Sequence, residues 1–280
     1  MSEQWTTHIK AQTGLFELNI GEVKKYRDLI FLFVKRNFTT RYKQTILGPL
    51  WLLFTPLITV LMHSIVFGNI AGMGTDGSPQ LLFYMTSNAI WSYFSLCLTQ
   101  TANTFTSNAN IFGKVYFPRI IVPISTIITG LLDFLIQMAM LVIMIVIYGM
   151  MGIKIYPTGW VFLTPLIVIQ TAILGMGCGI IISSVTTKYR DLTVLVGFGM
   201  QLWMYASPTV YGLGQIPVEY RSLYLLNPMA PIIVIWRYAI LGTGELPLKE
   251  WGCSWIITAM VLFFGVILFN KVEKNFMDTV

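Results

Sequence analysis

Charge is scarce in this chain. Lys and Arg together number 18 and Asp and Glu 12 in 280 residues, so ionisable side chains make up only 11% while hydrophobic ones make up 55%. With a mean hydropathy of +0.71, there is too little polar material to coat a soluble globule of this size, which points to lipid as the solvent. Histidine and cysteine are scarcer still, at 2 and 3 residues. His8 lies in the N-terminal tail and His63 in an apolar run, neither with a second His or an acid at ligand spacing, so no metal site is expected. Cys97, Cys178 and Cys253 sit in or beside separate apolar runs without C-x-x-C spacing, and read as small buried residues rather than a disulfide framework. A G-x-x-x-x-G-K-[ST] motif is missing, so the chain has no P-loop to cradle a nucleotide, and any ATP-driven role needs a partner that binds ATP and Mg. Neither a Ser-His-Asp set nor a carboxylate pair is evident, which disfavours an enzyme.

What is abundant is uncharged apolar sequence. No Asp, Glu, Lys or Arg falls between Lys43 and Asp76, Asp76 and Lys114, Lys154 and Lys188, Asp191 and Glu219, or Glu250 and Lys271, and Asp133 alone interrupts Arg119 to Lys154. Each interval can hold the roughly 20 residues that a spanning helix needs. An all-α membrane protein with six spans is expected, at Leu50 to Ile70, Leu81 to Thr101, Ile124 to Met150, Trp160 to Ser184, Leu192 to Tyr211 and Trp255 to Lys271. With the N-terminus inside, every basic residue except Lys154, Arg221, Arg237 and Lys249 falls on an inner segment, so both termini are expected to be cytoplasmic. That bias accounts for the net charge of +6 and makes nucleic-acid binding a poor reading of it. The N-terminal stretch lacks the apolar core and cleavage site of a signal peptide, so insertion is expected to begin with the first span.

Residues 1–21 read as a tail of no assigned function. Over residues 22–47, Val23, Tyr26, Ile30, Phe33, Val34 and Phe38 recur at helical spacing against a basic face, which predicts an amphipathic helix lying in the inner membrane interface. Residues 48–280 form the spanning domain, entered by the turn at Gly48 and Pro49. Its inner loop 103–118, polar and then basic and aromatic, is suited to fold as a short surface helix against a soluble partner. A second inner loop, TTKYRD from Thr186 to Asp191, is compact. The outer segment 212–249 is too long and too apolar for an ordinary loop, and its apolar run is broken by Arg237. It is therefore expected to dip into the membrane as re-entrant helices before the last span.

Asp133 is the most informative single residue, because an acid within a span is by default functional or strongly paired. It is either a proton-coupling group or a structural acid paired with a nearby base or capped by Thr129 and Gln137, one turn away on the same face. One embedded acid without a second embedded charge is thin for a proton relay, which favours the structural role. Trp91, Tyr93, Phe94, Trp203, Tyr205 and Tyr211 fall in the second and fifth predicted spans. They are either interfacial anchors or faces of a pore on which sugar rings stack. Gly175, Gly177 and Gly179 lie within the fourth span, where small residues let helices approach closely; a dinucleotide site would need a preceding strand.

Five strings occur together and in order: RYKQTILGPLW from Arg41, FGKVYFPR from Phe112, TTKYRDL from Thr186, SPTVYG from Ser207, and LNPMAPII followed by WRYAILGTGELP up to Pro247. As a set they resemble the membrane subunits of bacterial ABC exporters for cell-surface polysaccharides, the group that includes O-antigen, capsule and wall teichoic acid exporters. The resemblance covers most of the chain after Glu22. It implies a permease in the cytoplasmic membrane that homodimerises into a channel and binds two copies of a separate ATPase on the cytoplasmic face. It further implies a lipid-linked polysaccharide as substrate. The amphipathic helix with Arg41 and Lys43, and the loop with Asn110, Phe112, Lys114, Tyr116 and Phe117, look like the elements that couple the ATPase to the channel. The segment after Gly212 looks like the family's outer gate. Two other transport readings are an ABC exporter of drugs or small lipids and a proton-driven transporter using Asp133; a further one is a membrane scaffold that transports nothing.

Overall fold

The computed structural model describes residues 20–43, 45–112, 114–115, 117–186 and 191–279. The sequence-based readings of the tail with Trp5 and His8, of Tyr116 and of most of the TTKYRD loop fall outside that set. Among the described residues the secondary structure is helical throughout. The elements are α1 (Ile20–Lys25), α2 (Arg27–Tyr42), α3 (Trp51–His63), α4 (Gln80–Ala102), α5 (Thr104–Phe112), α6 (Ile121–Met150), α7 (Thr164–Thr186), α8 (Leu192–Tyr205), α9 (Val218–Tyr224), α10 (Met229–Leu241) and α11 (Leu248–Thr279).

Among the described residues, four stretches are long and apolar enough to cross a membrane: Gly48–Ile70, Ile121–Met150, Gly159–Thr186 and Leu248–Lys271. They coincide with the first, third, fourth and sixth predicted spans, the last beginning seven residues earlier than expected at Leu248. The pair α9 and α10 makes a fifth if taken as one span, although its two helices meet at 106°. The second predicted span is α4, which has 23 residues and no charge but is rich in Ser, Thr, Asn and Gln. The fifth is shorter than expected. α8 ends at Tyr205 after 14 residues, about 21 Å at 1.5 Å per residue, against a hydrocarbon core of about 30 Å. Ser207 and Pro208 follow in a turn, because Pro208 cannot continue the hydrogen-bond ladder.

The centre of the molecule is α4. It packs against α7 and α6 most extensively and also against α10 and α3, and Leu82, Tyr84, Ile90, Phe94 and Cys97 on it are fully buried. Three of its hydroxyls are satisfied locally. Thr86 donates to the carbonyl of Leu82 at 2.7 Å, Ser87 to that of Phe83 at 3.0 Å and Thr99 to that of Ser95 at 2.7 Å, which satisfies each hydroxyl within its own helix.

Glycines set the spacing on either side of α7. A Cβ added at Gly179 would stand 2.6 Å from the carbonyl oxygen of Leu98 on α4, and one at Gly175 2.8 Å from the Cβ of Cys97. On the opposite face, a Cβ at Gly177 would meet Val261 and the backbone of Leu262 of α11 at 3.0–3.1 Å, and one at Gly265 would lie 3.0 Å from the carbonyl of Gly177. The GMGCG string thus brings three helices into backbone contact, as small residues do in membranes. α3 and α8, by contrast, bury almost nothing within the chain, and Val60 and Met200 are their only fully buried residues among those described.

The expected amphipathic helix begins at Arg27 and stops at Tyr42, after a short first turn, α1. Tyr26, Leu29, Ile30 and Phe33 face the rest of the protein, at i, i+3, i+4 and i+7. Phe31 and Leu32 point away and are 79% and 61% exposed.

Candidate functional site

A cavity of about 670 Å³ lies between α3, α4 and α6. Leu52, Pro56, Trp91, Leu96 and Phe134 supply apolar wall, while Thr55, Thr59, Ser92, Ser95 and Thr99 set hydroxyls along it. This composition suits a long ligand that is amphipathic along its whole length, offering a hydrogen bond at intervals without a single tight anchor. Of the aromatic residues singled out from the sequence, Trp91 and Tyr93 line this cavity. Phe94 is fully buried and packs edge-on against Trp203 at 5.0 Å. Trp203 is itself tied up, its indole N–H donating to Asn227 Oδ1 at 2.9 Å. Tyr205 is half-exposed and stacks near Phe67 at 6.0 Å. Tyr211 donates to the carbonyl of Tyr205 at 2.8 Å and its hydroxyl lies 3.0 Å from that of Tyr224. The six aromatics therefore do not line one common surface.

Asp133 stands on the cavity wall, paired with Arg41 from the end of α2. Neither expected capping group is its partner: Thr129 donates to the carbonyl of Ser125 at 2.8 Å, and Gln137 accepts from Asn88 at 3.5 Å. The paired base was foreseen but not its source, since Arg41 is 92 positions away. Only one carboxylate oxygen is engaged, and Oδ1 has no hydrogen-bond partner among the described residues. The side chain of Arg41 is one-third exposed.

Towards the end of the chain that carries α2, an aromatic cluster ties α2, α5, the loop after α5 and the last helix together. Phe33 lies 5.5 Å from Phe117, Phe117 5.6 Å from Phe112, Phe112 6.0 Å from Phe105, and Phe105 5.1 Å from Phe269. Arg119 lies over the ring of Phe112 at 5.5 Å. Phe112 and Phe117 are 4% and 5% exposed. Their side chains are spent inside the chain, so they hold the loop rather than present a surface. Asn110, Lys114 and Lys43 are exposed. Arg36 of α2 donates to Asn108 of α5 at 3.2 Å.

At the other end of α4 lies a second ion pair that sequence reasoning missed. Arg237 on α10 is 4% exposed. Its guanidinium donates to the carbonyl of Pro208 and, at 3.3 Å, to Ser87 Oγ, lies 4.2 Å above the ring of Phe83 and reaches Asp76 at 3.7 Å. Asp76 in turn accepts the backbone N–H of Leu213 at 3.2 Å. A Cβ on Gly212 would fall 2.1 Å from Asp76 Oδ1, so any other residue here would push the carboxylate from its place. Ser78 and Thr243 close the same corner with a hydroxyl–hydroxyl bond. The available signal was Arg237 itself, a lone cation in an apolar run, which in a membrane demands a partner.

Two amide side chains complete the frame. Asn227 donates to the carbonyl of Ala206 and to Ser207 Oγ at 3.0 and 2.9 Å while its oxygen accepts from Trp203 and from the backbone of Met229. This fixes the end of α8 to the start of α10. Gln170 donates to Ser254 at 3.0 Å and accepts from Trp251 at 2.7 Å, linking α7 to α11.

Against this geometry the comparisons with known proteins are specific. The family model described as ABC-2 type transporter matches residues 28–241. An O-antigen export system permease protein RfbA of Klebsiella pneumoniae is 28% identical over 251 residues, covering 90% of this chain and 94% of that protein. One of the same name from Myxococcus xanthus is 26% identical over 93% of this chain and 98% of the relative. The polysialic acid transport protein KpsM of Escherichia coli is 24% identical, over 85% and 91% respectively.

Proposed function

This chain belongs to the ABC-2 type transporter family, and from that premise we propose that it is the transmembrane subunit of an ATP-driven exporter of lipid-linked polysaccharide. The observation that carries the substrate class is the near full-length similarity to permeases named for O-antigen and polysialic acid export. The cavity fits such a substrate. Alternating hydroxyls and the aromatic faces of Trp91 and Tyr93 match a polymer that offers hydroxyl groups and C–H faces at every sugar, and they hold no repeat unit so tightly that it cannot move on.

In this reading the protein sits in the bacterial cytoplasmic membrane with both termini inside. α4 and the stretch through α8 to Tyr211 complete six spans, and α9 and α10 dip in from outside and return. The weakly buried α3 and α8 supply the faces on which a second copy closes the channel. ATP and Mg belong to a separate ATPase subunit, which meets Asn110, Lys114 and Lys43. Phe112 and Phe117 transmit that contact by locking the loop to α2 and α11. Asp133, held by Arg41, acts as part of the wall rather than as a proton carrier.

The test is reconstitution of the chain with its ATPase in vesicles, with lipid-linked glycan supplied on the ATPase side. ATP-dependent appearance of glycan on the far side is expected. Transport driven by a proton gradient without the ATPase, or ATPase stimulation by hydrophobic drugs alone, would overturn the reading.

A further inference from the structure

A second cavity, about 350 Å³, lies between α2, the α4–α5 junction and the start of α6. Arg36 and Arg41 line it with Asn103, Ser107, Asn108 and Thr126, and no carboxylate lines it among the described residues. The partners of the Arg36 guanidinium among the described residues are neutral: the amide oxygens of Asn37 and Asn108 at 3.1–3.2 Å and the face of Phe33 at 4.5 Å. Arg41 is balanced by Asp133, which does not line this hollow, whereas Arg36 brings a second positive charge to it with neutral partners only among the described residues, so the hollow attracts an anion. Arginine forks, amide N–H groups and hydroxyls are the donors that phosphate oxygens require. Arg41 and Gln100 also line the larger cavity, so they form the partition between the two hollows, and on the far side of that partition Asp133 holds Arg41 with one oxygen only.

We propose that this cavity binds the phosphate or diphosphate group of a lipid, with Arg36 and Arg41 as its ligands, and that the anion competes with Asp133 for Arg41. The inference rests on the export reading for its placement at the inner membrane surface, where lipid phosphates lie. An arriving diphosphate draws Arg41 off Asp133 and opens the partition, so that the head of the substrate is recognised before its glycan enters the larger cavity.

The probe is farnesyl diphosphate, titrated onto the permease–ATPase complex in phosphatidylcholine nanodiscs. Arg36→Gln is expected to weaken binding about tenfold or more, Arg36→Lys to keep most of it, and Asp133→Asn to tighten it severalfold. Ser107→Asp, which adds a negative charge at an exposed position of the cavity wall, should weaken binding without touching either arginine. That variant keeps the test decisive if Arg36→Gln fails to assemble. Competition by phosphatidylglycerol identifies a membrane headgroup as the natural ligand, and its absence identifies the lipid carrier; either result supports the site. Equal affinity in the wild type, Arg36→Gln and Ser107→Asp overturns it. A complex that binds the diphosphate but exports no glycan sinks the export reading alone. One that exports glycan while binding is indifferent to these charges sinks the site alone.

Discussion

Two arginine–aspartate pairs stand near opposite ends of α4 and are built on different principles. Arg237 and Asp76 are caged: the guanidinium is covered by a carbonyl, a hydroxyl and an aromatic face, and the carboxylate is occupied by a backbone amide. Arg41 and Asp133 are half-open, with one carboxylate oxygen idle and the arginine one-third exposed on the rim of two cavities. A buried guanidinium survives only when its donors are satisfied, and Arg237, 4% exposed, is then fixed in one arrangement. Arg41, one-third exposed and held by a single oxygen of a buried carboxylate, is freer to exchange partners. The first pair therefore belongs to the frame and the second to the moving parts.

The comparison is most easily broken at Arg237. Arg237→Met leaves Asp76 without its cation and should cost about 3–5 kcal/mol, read as aggregation or a much lower melting temperature in detergent; a melting curve like the wild type would show the cage to be idle. Gly212→Ala comes next. Its Cβ cannot coexist with Asp76, and the shift required should cost about 1–3 kcal/mol, with part of the loss recovered in the double variant Gly212→Ala with Asp76→Ala. Asn227→Ala removes four hydrogen bonds, three of them to the end of α8, and strands the Trp203 indole, for a loss of about 1–3 kcal/mol. Limited proteolysis after Tyr205 should report it. At the open pair, Asp133→Asn should change stability by less than about 1 kcal/mol, with normal assembly and ATP hydrolysis. Complete loss of transport with ATP hydrolysis intact would show that the carboxylate does more than hold Arg41.

The sequence was most legible where one physical constraint acts alone. Charges are costly in hydrocarbon, so charge-poor intervals located the stretches of α3, α4, α6 and α7 to within a few residues and that of α11 to within seven, and the charge within the segment 212–249 set apart the stretch whose helices α9 and α10 meet at 106°. Small residues in GMGCG announced close packing because a helix in lipid uses them for little else. Legibility failed where a residue's partner is remote. Asp133 pairs with a residue 92 positions away, and Asp76 sits in GMGTDGSP, which reads as an ordinary turn until Arg237 is brought over it by the fold. The end of α8 was misjudged because the charge-free interval continues past Tyr205, although Ser207 and Pro208 were a stop signal in plain view. The resemblance puts Phe112 and Phe117 in the ATPase-coupling loop, but nothing local in the sequence shows that their rings are buried. Exposure depends on what packs above them, and that is α2 and α11.

The glycine seam through α7 has a mechanical meaning. Where Gly175 and Gly179 seat on α4 and Gly177 meets Gly265 on α11, backbone touches backbone with no side-chain layer between. Such a joint has no lubricant: sliding either neighbour along α7 by a fraction of a turn drives a carbonyl or a side chain into the tooth beside it. α4, α7 and α11 must then travel as one keyed block, with α10 bolted to it through Trp236 and Gln170's neighbours. Distances within the block should stay constant through the cycle, and any widening of the passage has to come from α3, α8 and α2 swinging on its rim.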